Sequence, residues 1–376
     1  MKKLLSLIAC VALPAYGAEP LKAETYFTET LGKPTPHWVF VNDFNFLGYV
    51  DGKVFLIDVA SGKMLGMMST GTYQVAVEIA PDVSAVYVPL TFYSRGTHGE
   101  RTDAVVIYET ESLTPVAEVV IPPKRATGMP MRGYSGMSDD GRFVYVANMT
   151  PASSFSVVDV VARKFLAEVE SAGCALIFPT GNRSLASLCG DGTVQSFVLD
   201  DAGAVTARAK STPFFDPNID PVTEKASRQG NTWYFFSFEG YVHPVSFDGS
   251  PGTPRTKWSL FSDEERAAGW RVGGSQFNAI HEATGRLYVI VHQGEADSHK
   301  DPGMHVWVYD LATRAKVAVI DLESHAMSVA VTQDAEPLLV TNTLELPVIH
   351  VYDASSGALV NVIEGGPMTP SFPQVP

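Results

Sequence analysis

Apolar and polar positions alternate in short runs along this chain, and the runs recur with the same turn chemistry between them. Residues 348–363, VIHVYDASSGALVNVI, show the pattern at its clearest. Val348, His350 and Tyr352 alternate with Ile349, Val351 and Asp353, the period-two signature of a strand whose two faces are buried to different degrees. Asp353, Ser355, Ser356 and Gly357 then supply a turn, because an Asp carboxylate bonds backbone ahead of it and Gly accepts positive φ. An apolar run over 358–363 returns as a second strand. Six further copies begin at Val54, Ala104, Ser154, Thr193, Tyr241 and Met304, the one at Tyr241 being the weakest. Their marker acids fall at Asp58, Glu109, Asp159, Asp200, Asp248, Asp310 and Asp353. The intervals run from about 40 to about 60 residues, the period of a propeller blade.

Another strand precedes each copy, over 38–42, 85–90, 143–148, 184–189, 233–238, 286–291 and 337–341. In most repeats one more lies ahead of it, as over 73–79 and 327–332, joined by turns such as APDVS, SDDGR, PTGNR, EATGR and TQDAE. Four antiparallel strands per repeat and seven repeats predict an all-β fold, a seven-bladed β-propeller. A pair of β-sandwiches gives no reason for matching turn sequences. A blade cannot bury both faces without neighbours, so residues 37–376 are expected to form a single ring. The first blade is one strand short. Two segments are available to complete it, the lead-in 19–36 and the tail 368–376.

Three long connections interrupt the regular pattern: TFYSRGTHGERTD over 91–103, IPPKRATGMPMRGY over 121–134 and PFFDPNIDPVTEK over 213–225. Loops of this length carry contacts or function. The widest spacing, between Asp248 and Asp310, holds WSLFSDEERAAGWRVGG. Ser262 and Glu265 there have capping-box spacing, which predicts a short helix over 263–268 ended by Gly269.

The N-terminus changes the picture of where the chain works. Lys2 and Lys3, an apolar run over 4–13 and the small residues Ala15, Gly17 and Ala18 read as a signal peptide over 1–18. The run is too short to span a bilayer. Leu7-Ile8-Ala9-Cys10 resembles a lipidation box, but the apolar segment before it is short. The expectation is an exported protein of the bacterial periplasm. Removal of the leader leaves Cys174 and Cys189. They lie symmetrically about the turn at Gly181-Asn182, opposite each other in a hairpin and within reach of a disulfide. Export favours the bridge, worth roughly 3 kcal/mol by loop closure. The formal net charge of −14 disfavours nucleic acid and anionic membrane surfaces as partners.

The chain carries no nucleophile elbow, Gly-rich phosphate loop or HExxH. The densest polar cluster is HQGEADSHKD over 292–301. His292, Glu295, Asp297 and His299 have the chemistry of metal ligands, yet a solvated turn between strands is the favoured reading, and no metal is assigned.

Several stretches resemble the heavy subunit of the quinoprotein amine dehydrogenases, the methylamine and aromatic amine enzymes. They are Gly99-Glu100-Arg101-Thr102-Asp103, Pro122-Pro123-Lys124-Arg125, Cys174 to Cys189 with Gly190-Asp191-Gly192, Gly269-Trp270-Arg271-Val272-Gly273-Gly274 with Gly285-Arg286-Leu287-Tyr288, and His299-Lys300. Their order over about residues 38–365 makes the resemblance specific. It implies a seven-bladed propeller in a periplasmic assembly of two heavy and two light subunits. The cofactor, tryptophan tryptophylquinone, would belong to a small, Cys-rich light subunit, leaving no cofactor and no catalytic residue in this chain. The assembly would oxidise a primary amine to an aldehyde and ammonia, and pass electrons to a blue copper protein of the amicyanin or azurin type. The resemblance also implies an aromatic residue at the substrate entrance. In VNDFNFLGYVDG, Phe46 fits best and Phe44 is its neighbour. Length and charge single out Arg95, Arg101, Asp103, Lys124 and Arg125 in two of the long connections as candidates for light-subunit contact. The alternative functions are a stand-alone propeller hydrolase of the lactonase type, with acids and His at the central channel, and a binding-only propeller.

Overall fold

The computed structural model describes residues 29–48, 50–72, 76–126, 131–343 and 346–376. The expected signal peptide and the first part of the lead-in lie outside the described residues. Within them, seven antiparallel sheets of four or five strands follow one another along the chain, as the repeat predicts. In the second blade the strands run from the axis outward as Glu78–Ile79, Ala85–Tyr93, Arg101–Glu109 and Thr114–Ile121. Tight turns after the first and third strands of each blade gather on one face of the ring, the turn face. Connections after the second and fourth, among them the three long ones, gather on the other, the loop face.

The marker acids work as turn chemistry predicts. A carboxylate oxygen accepts the backbone N–H three residues on at Asp58 (3.0 Å), Asp159 (2.7 Å), Asp310 (2.8 Å) and Asp353 (2.7 Å). Asp248, in the weakest copy, instead accepts from the side chains of Ser246 and Asn231. Its blade is also the irregular one: two short pieces, Thr253–Pro254 and Trp258–Ser259, share the place of an outer strand against Tyr241–Ser246.

The strands are more evenly buried than their alternation implied. In Val348–Asp353 both faces are covered, because every blade is sandwiched between two others. Strand Trp38–Asp43 shows how. Trp38 and Phe40 pack with Val86, Val88 and Val106 of the second blade, while Val39 and Val41 pack with Val340 and Val351 of the seventh. Alternate side chains thus face opposite neighbours, and both rows must be apolar.

The C-terminal tail closes the ring. Pro370–Gln374 pairs antiparallel with Trp38–Asp43, Phe372 opposite Asn42, as the innermost strand of the first blade. Side chains sew it in on both sides. Ser328 Oγ donates to Ser371 O (2.6 Å), and Asn342 Nδ2 to Pro370 O (2.5 Å). Gln374 Oε1 accepts from Asn42 Nδ2 (2.8 Å) and from Val77 N (3.1 Å), and its Nε2 donates to Val77 O (2.9 Å). The insert behaves as its capping box predicts. Helix Asp263–Ala267 has reciprocal bonds between Ser262 and Glu265, and Gly269 follows at φ 82°. Cys174 and Cys189 face each other across the two inner strands of the fourth blade and form the disulfide.

Candidate functional site

The connection after Trp38–Asp43 places the two expected entrance aromatics on the loop face. Asp43 is buried and organises them. Its carboxylate accepts from Asn45 N (2.7 Å), Met368 N (2.6 Å) and Thr369 N (3.0 Å). Phe46 N donates to Thr369 Oγ1 (2.8 Å), and Asn45 takes the left-handed φ of 46° that the reversal needs. The loop is thereby clamped to the C-terminal segment. Phe46 stands 64% exposed at its tip, so it does not pack between blades. Phe44 is half-buried below, with ring centroids 6.0 Å apart. Sequence reasoning picked the rings and missed the clamp. Asp43-Phe44-Asn45 is an Asx-turn signature that could have found it.

The five charged candidates for partner contact divide. Arg95 is exposed at the tip of a hairpin loop, where its backbone N–H bonds His98 O. Lys124 reaches across to Glu168 at 2.9 and 3.0 Å and stays half-exposed. Asp103 and Arg125, by contrast, are 0% and 1% exposed, which corrects the expectation that they present a contact surface. They are mutual partners in a buried network. Thr91 Oγ1 donates to Asp103 Oδ1 (2.8 Å) and accepts from Arg125 Nη2 (2.8 Å), while Arg125 N donates to Asp103 Oδ2 (2.8 Å). Arg101 completes it from the edge with a two-pronged bond to Asp103 (2.9 and 2.8 Å) and one to Arg125 O (2.9 Å). A buried charge is tolerated only with such saturation. Even so, burial pushes Arg125 down to about 10, against the pull of Asp103. The network pins the second blade to the third under the loop face.

Exposed large apolar side chains are unevenly placed. Leaving aside the outer strands, Phe46, Phe92, Met149, Ile219, Leu346 and Met368 lie on the loop face, against Val161 on the turn face, among the described residues.

The ring's axis is open at both ends. A cavity of about 750 Å³ opens on the loop face and one of about 410 Å³ on the turn face, with Ile177 and Glu224 lining both. Glu78, on the innermost strand of the second blade, lines the turn-face cavity. It accepts from Ser135 Oγ at 2.6 Å. Burial pushes its pKa up to about 7, opposed by that bond and by the Arg132 charge. A lone acid in the apolar run VAVEIA was the available signal.

The polar cluster over 292–301 does not converge on a point. His292 Nε2 bonds Ser298 Oγ (2.9 Å), whereas the His299 ring stacks on Phe238 with centroids 3.5 Å apart. Burial lowers the pKa of both imidazoles. Among the described residues no group of three or more His, Cys, Asp or Glu is arranged to hold a metal ion.

A family model for the methylamine dehydrogenase heavy chain matches residues 36–372. The methylamine dehydrogenase heavy chain of Methylophilus methylotrophus is 28% identical over 326 residues, 86% of this chain and 80% of that one. That of Paracoccus versutus is 27% identical over 308 residues, 81% and 71% of the two chains. Among solved structures, a functionally unknown protein from Desulfotomaculum acetoxidans aligns with a TM-score of 0.60 at 13% identity, over 90% of this chain and 98% of that one. A dihydro-heme d1 dehydrogenase in complex with DHE aligns with a TM-score of 0.56 at 14% identity, over 91% and 66%. These two likenesses are of fold alone. With the family model running from the first strand of the ring to the last, the chain belongs to the methylamine dehydrogenase heavy chain family.

Proposed function

We propose that this chain is the non-catalytic heavy subunit of a periplasmic amine dehydrogenase. In this reading it scaffolds a light subunit that carries tryptophan tryptophylquinone, in an assembly of two heavy and two light chains. A primary amine is converted to aldehyde and ammonia there, and the electrons leave to a blue copper protein. The names of the relatives make methylamine the first amine to test. The quinone supplies the redox chemistry from the partner. This chain supplies shape: its loop face covers the partner, and Phe46 stands where an entering amine is sorted by size.

The observation that carries the reading is the exposed, clamped Phe46 on a loop face that concentrates exposed apolar side chains. A solvated loop tip has no use for a rigidly held aromatic ring, whereas an interface anchor does. The test is affinity capture of the tagged full chain from its native host, followed by mass spectrometry and quinone staining. Recovery of a small, Cys-rich, quinone-bearing chain in equal amount is expected. Recovery of the heavy chain alone overturns the reading.

A further inference from the structure

The loop-face half of the central channel has features that docking of a light subunit does not call for. Its walls are largely apolar, formed by Ala126, Met131, Tyr134, Ala147, Leu176 and Met327. At about 750 Å³ it has the size of a small-molecule pocket. Three charged side chains share it: Glu224, Lys225 and Lys300. Two ammonium groups against one carboxylate leave a local surplus of positive charge, in a chain whose formal net charge is −14.

Lys225 is the unusual member. Its side chain is 4% exposed, and lysines are almost never buried without full compensation. Its Nζ lies 3.1 Å from Glu224 Oε1 and 5.9 Å from the centre of the Phe277 ring. An ammonium carries three donors, and among the described residues Glu224 is its one charged acceptor. Burial holds the Lys225 pKa below the ordinary lysine value, with Glu224 opposing. Lys300 acts on the same carboxylate from the exposed side and lowers its pKa further. Glu224 thus lies in the field of two cations, the buried Lys225 and the exposed Lys300.

We propose that this half-channel is a binding site for a small amphipathic anion, a carboxylate with an aliphatic or aromatic tail. The carboxylate accepts from Lys225 and Lys300, and the tail lies along Met131, Leu176 and Met327. A cationic amine meets two like charges here, so the site is distinct from the entrance at Phe46. Every group that makes the site belongs to this chain.

The test uses the full chain, with whatever partner it co-purifies with, in equilibrium dialysis against octanoate and against 1-octanol. The tails match and only the head group differs. Octanoate is expected to bind once per chain and at least tenfold more tightly than octanol. K225M is expected to weaken octanoate by about ten- to a hundredfold, the worth of a charge-assisted hydrogen bond, and to leave octanol unchanged. K300M, at an exposed position, is expected to weaken octanoate severalfold and to leave octanol unchanged. Equal binding of octanoate and octanol overturns the proposal. So does K225M or K300M failing to weaken octanoate in a chain whose melting temperature is retained.

Discussion

Phe46, Arg125 and Glu78 show three different ways in which a side chain on this ring is fixed by its surroundings. Phe46 is held by its backbone N–H on Thr369 Oγ1, with Thr369 in turn bonded to Asp43, and keeps its ring in solvent. On the proposed role, F46A in the assembled enzyme should change the ratio of KM values for a small and a bulky amine by roughly tenfold, with kcat little altered. Steady-state kinetics on methylamine and benzylamine would read this, and unchanged KM values for both would remove Phe46 from the entrance. Arg125 is inside, and its loss removes the guanidinium bonds to Thr91 and Thr72 and leaves the charge of buried Asp103 countered only by Arg101 at the edge. R125A should cost about 3–5 kcal/mol in urea unfolding, and a cost below ~1 kcal/mol would mean the network is not what joins the second blade to the third. Glu78 titrates against burial. With its pKa raised from 4.5 to about 7, the folded chain holds a proton that the unfolded chain releases. That contribution to stability is full below about pH 4.5 and is lost as pH rises through 7. The loss is on the order of 1–3 kcal/mol, so unfolding between pH 4.5 and 8 should fall more steeply in the natural chain than in E78Q. At this scale the sequence was a partial guide. It marked Phe46 as aromatic and Arg125 as basic, but exposure and burial follow from which strands close over each residue, and that is a long-range property.

The turn after the third strand of each blade is the element that made the fold legible. In four blades its Asp accepts a backbone N–H three residues on, and in five the residue four places on turns left-handed. That residue is Gly62 (φ 72°) in the first blade and Gly357 (74°) in the seventh, but Leu113 (53°), Arg163 (55°) and Arg314 (61°) in the second, third and sixth. Left-handed backbone costs a residue with a Cβ about 1 kcal/mol. R163G, at an exposed position, should therefore stabilise the chain by roughly 0.5–1 kcal/mol, measured by denaturant midpoint, and a loss of stability would contradict the assignment of strain to that turn. The closing strand was the element the sequence left open. Two segments had compatible composition, and the choice was made by groups distant in sequence, the side chains of Asn42, Ser328 and Asn342 and the backbone of Val77. Removal of residues 370–376 should open the ring, lower the melting temperature by more than 10 °C and broaden the transition, as repeat arrays do when an end is frayed. A sharp, unshifted transition would show that the tail is dispensable. The fifth blade was the hardest to read because its outer strand is split into two short pieces and Asp248 accepts from side chains where the Asp of four other blades accepts a backbone N–H.

As a whole the molecule is a ring with two unlike faces. The turn face is tied by ion pairs across blades, Arg142 to Asp201 (3.1 Å), Arg183 to Asp140 (2.7 Å) and Arg228 to Asp139 (2.6 Å). These are exposed enough to contribute modestly and to weaken with salt. The loop face carries the exposed aromatics and methionines, the clamp at Asp43 and the wider end of the channel. The repeat count was legible because sevenfold turn chemistry is local. The division of labour between the faces was not, because it depends on which loop residues the closed ring leaves uncovered. The central claim is that this chain gives shape to a reaction performed by a companion. The most direct measurement separates the two subunits and assays amine-dependent dye reduction by each alone and by the recombined pair. Activity that returns only on recombination is the result expected. Turnover of an amine by this chain alone would contradict the account.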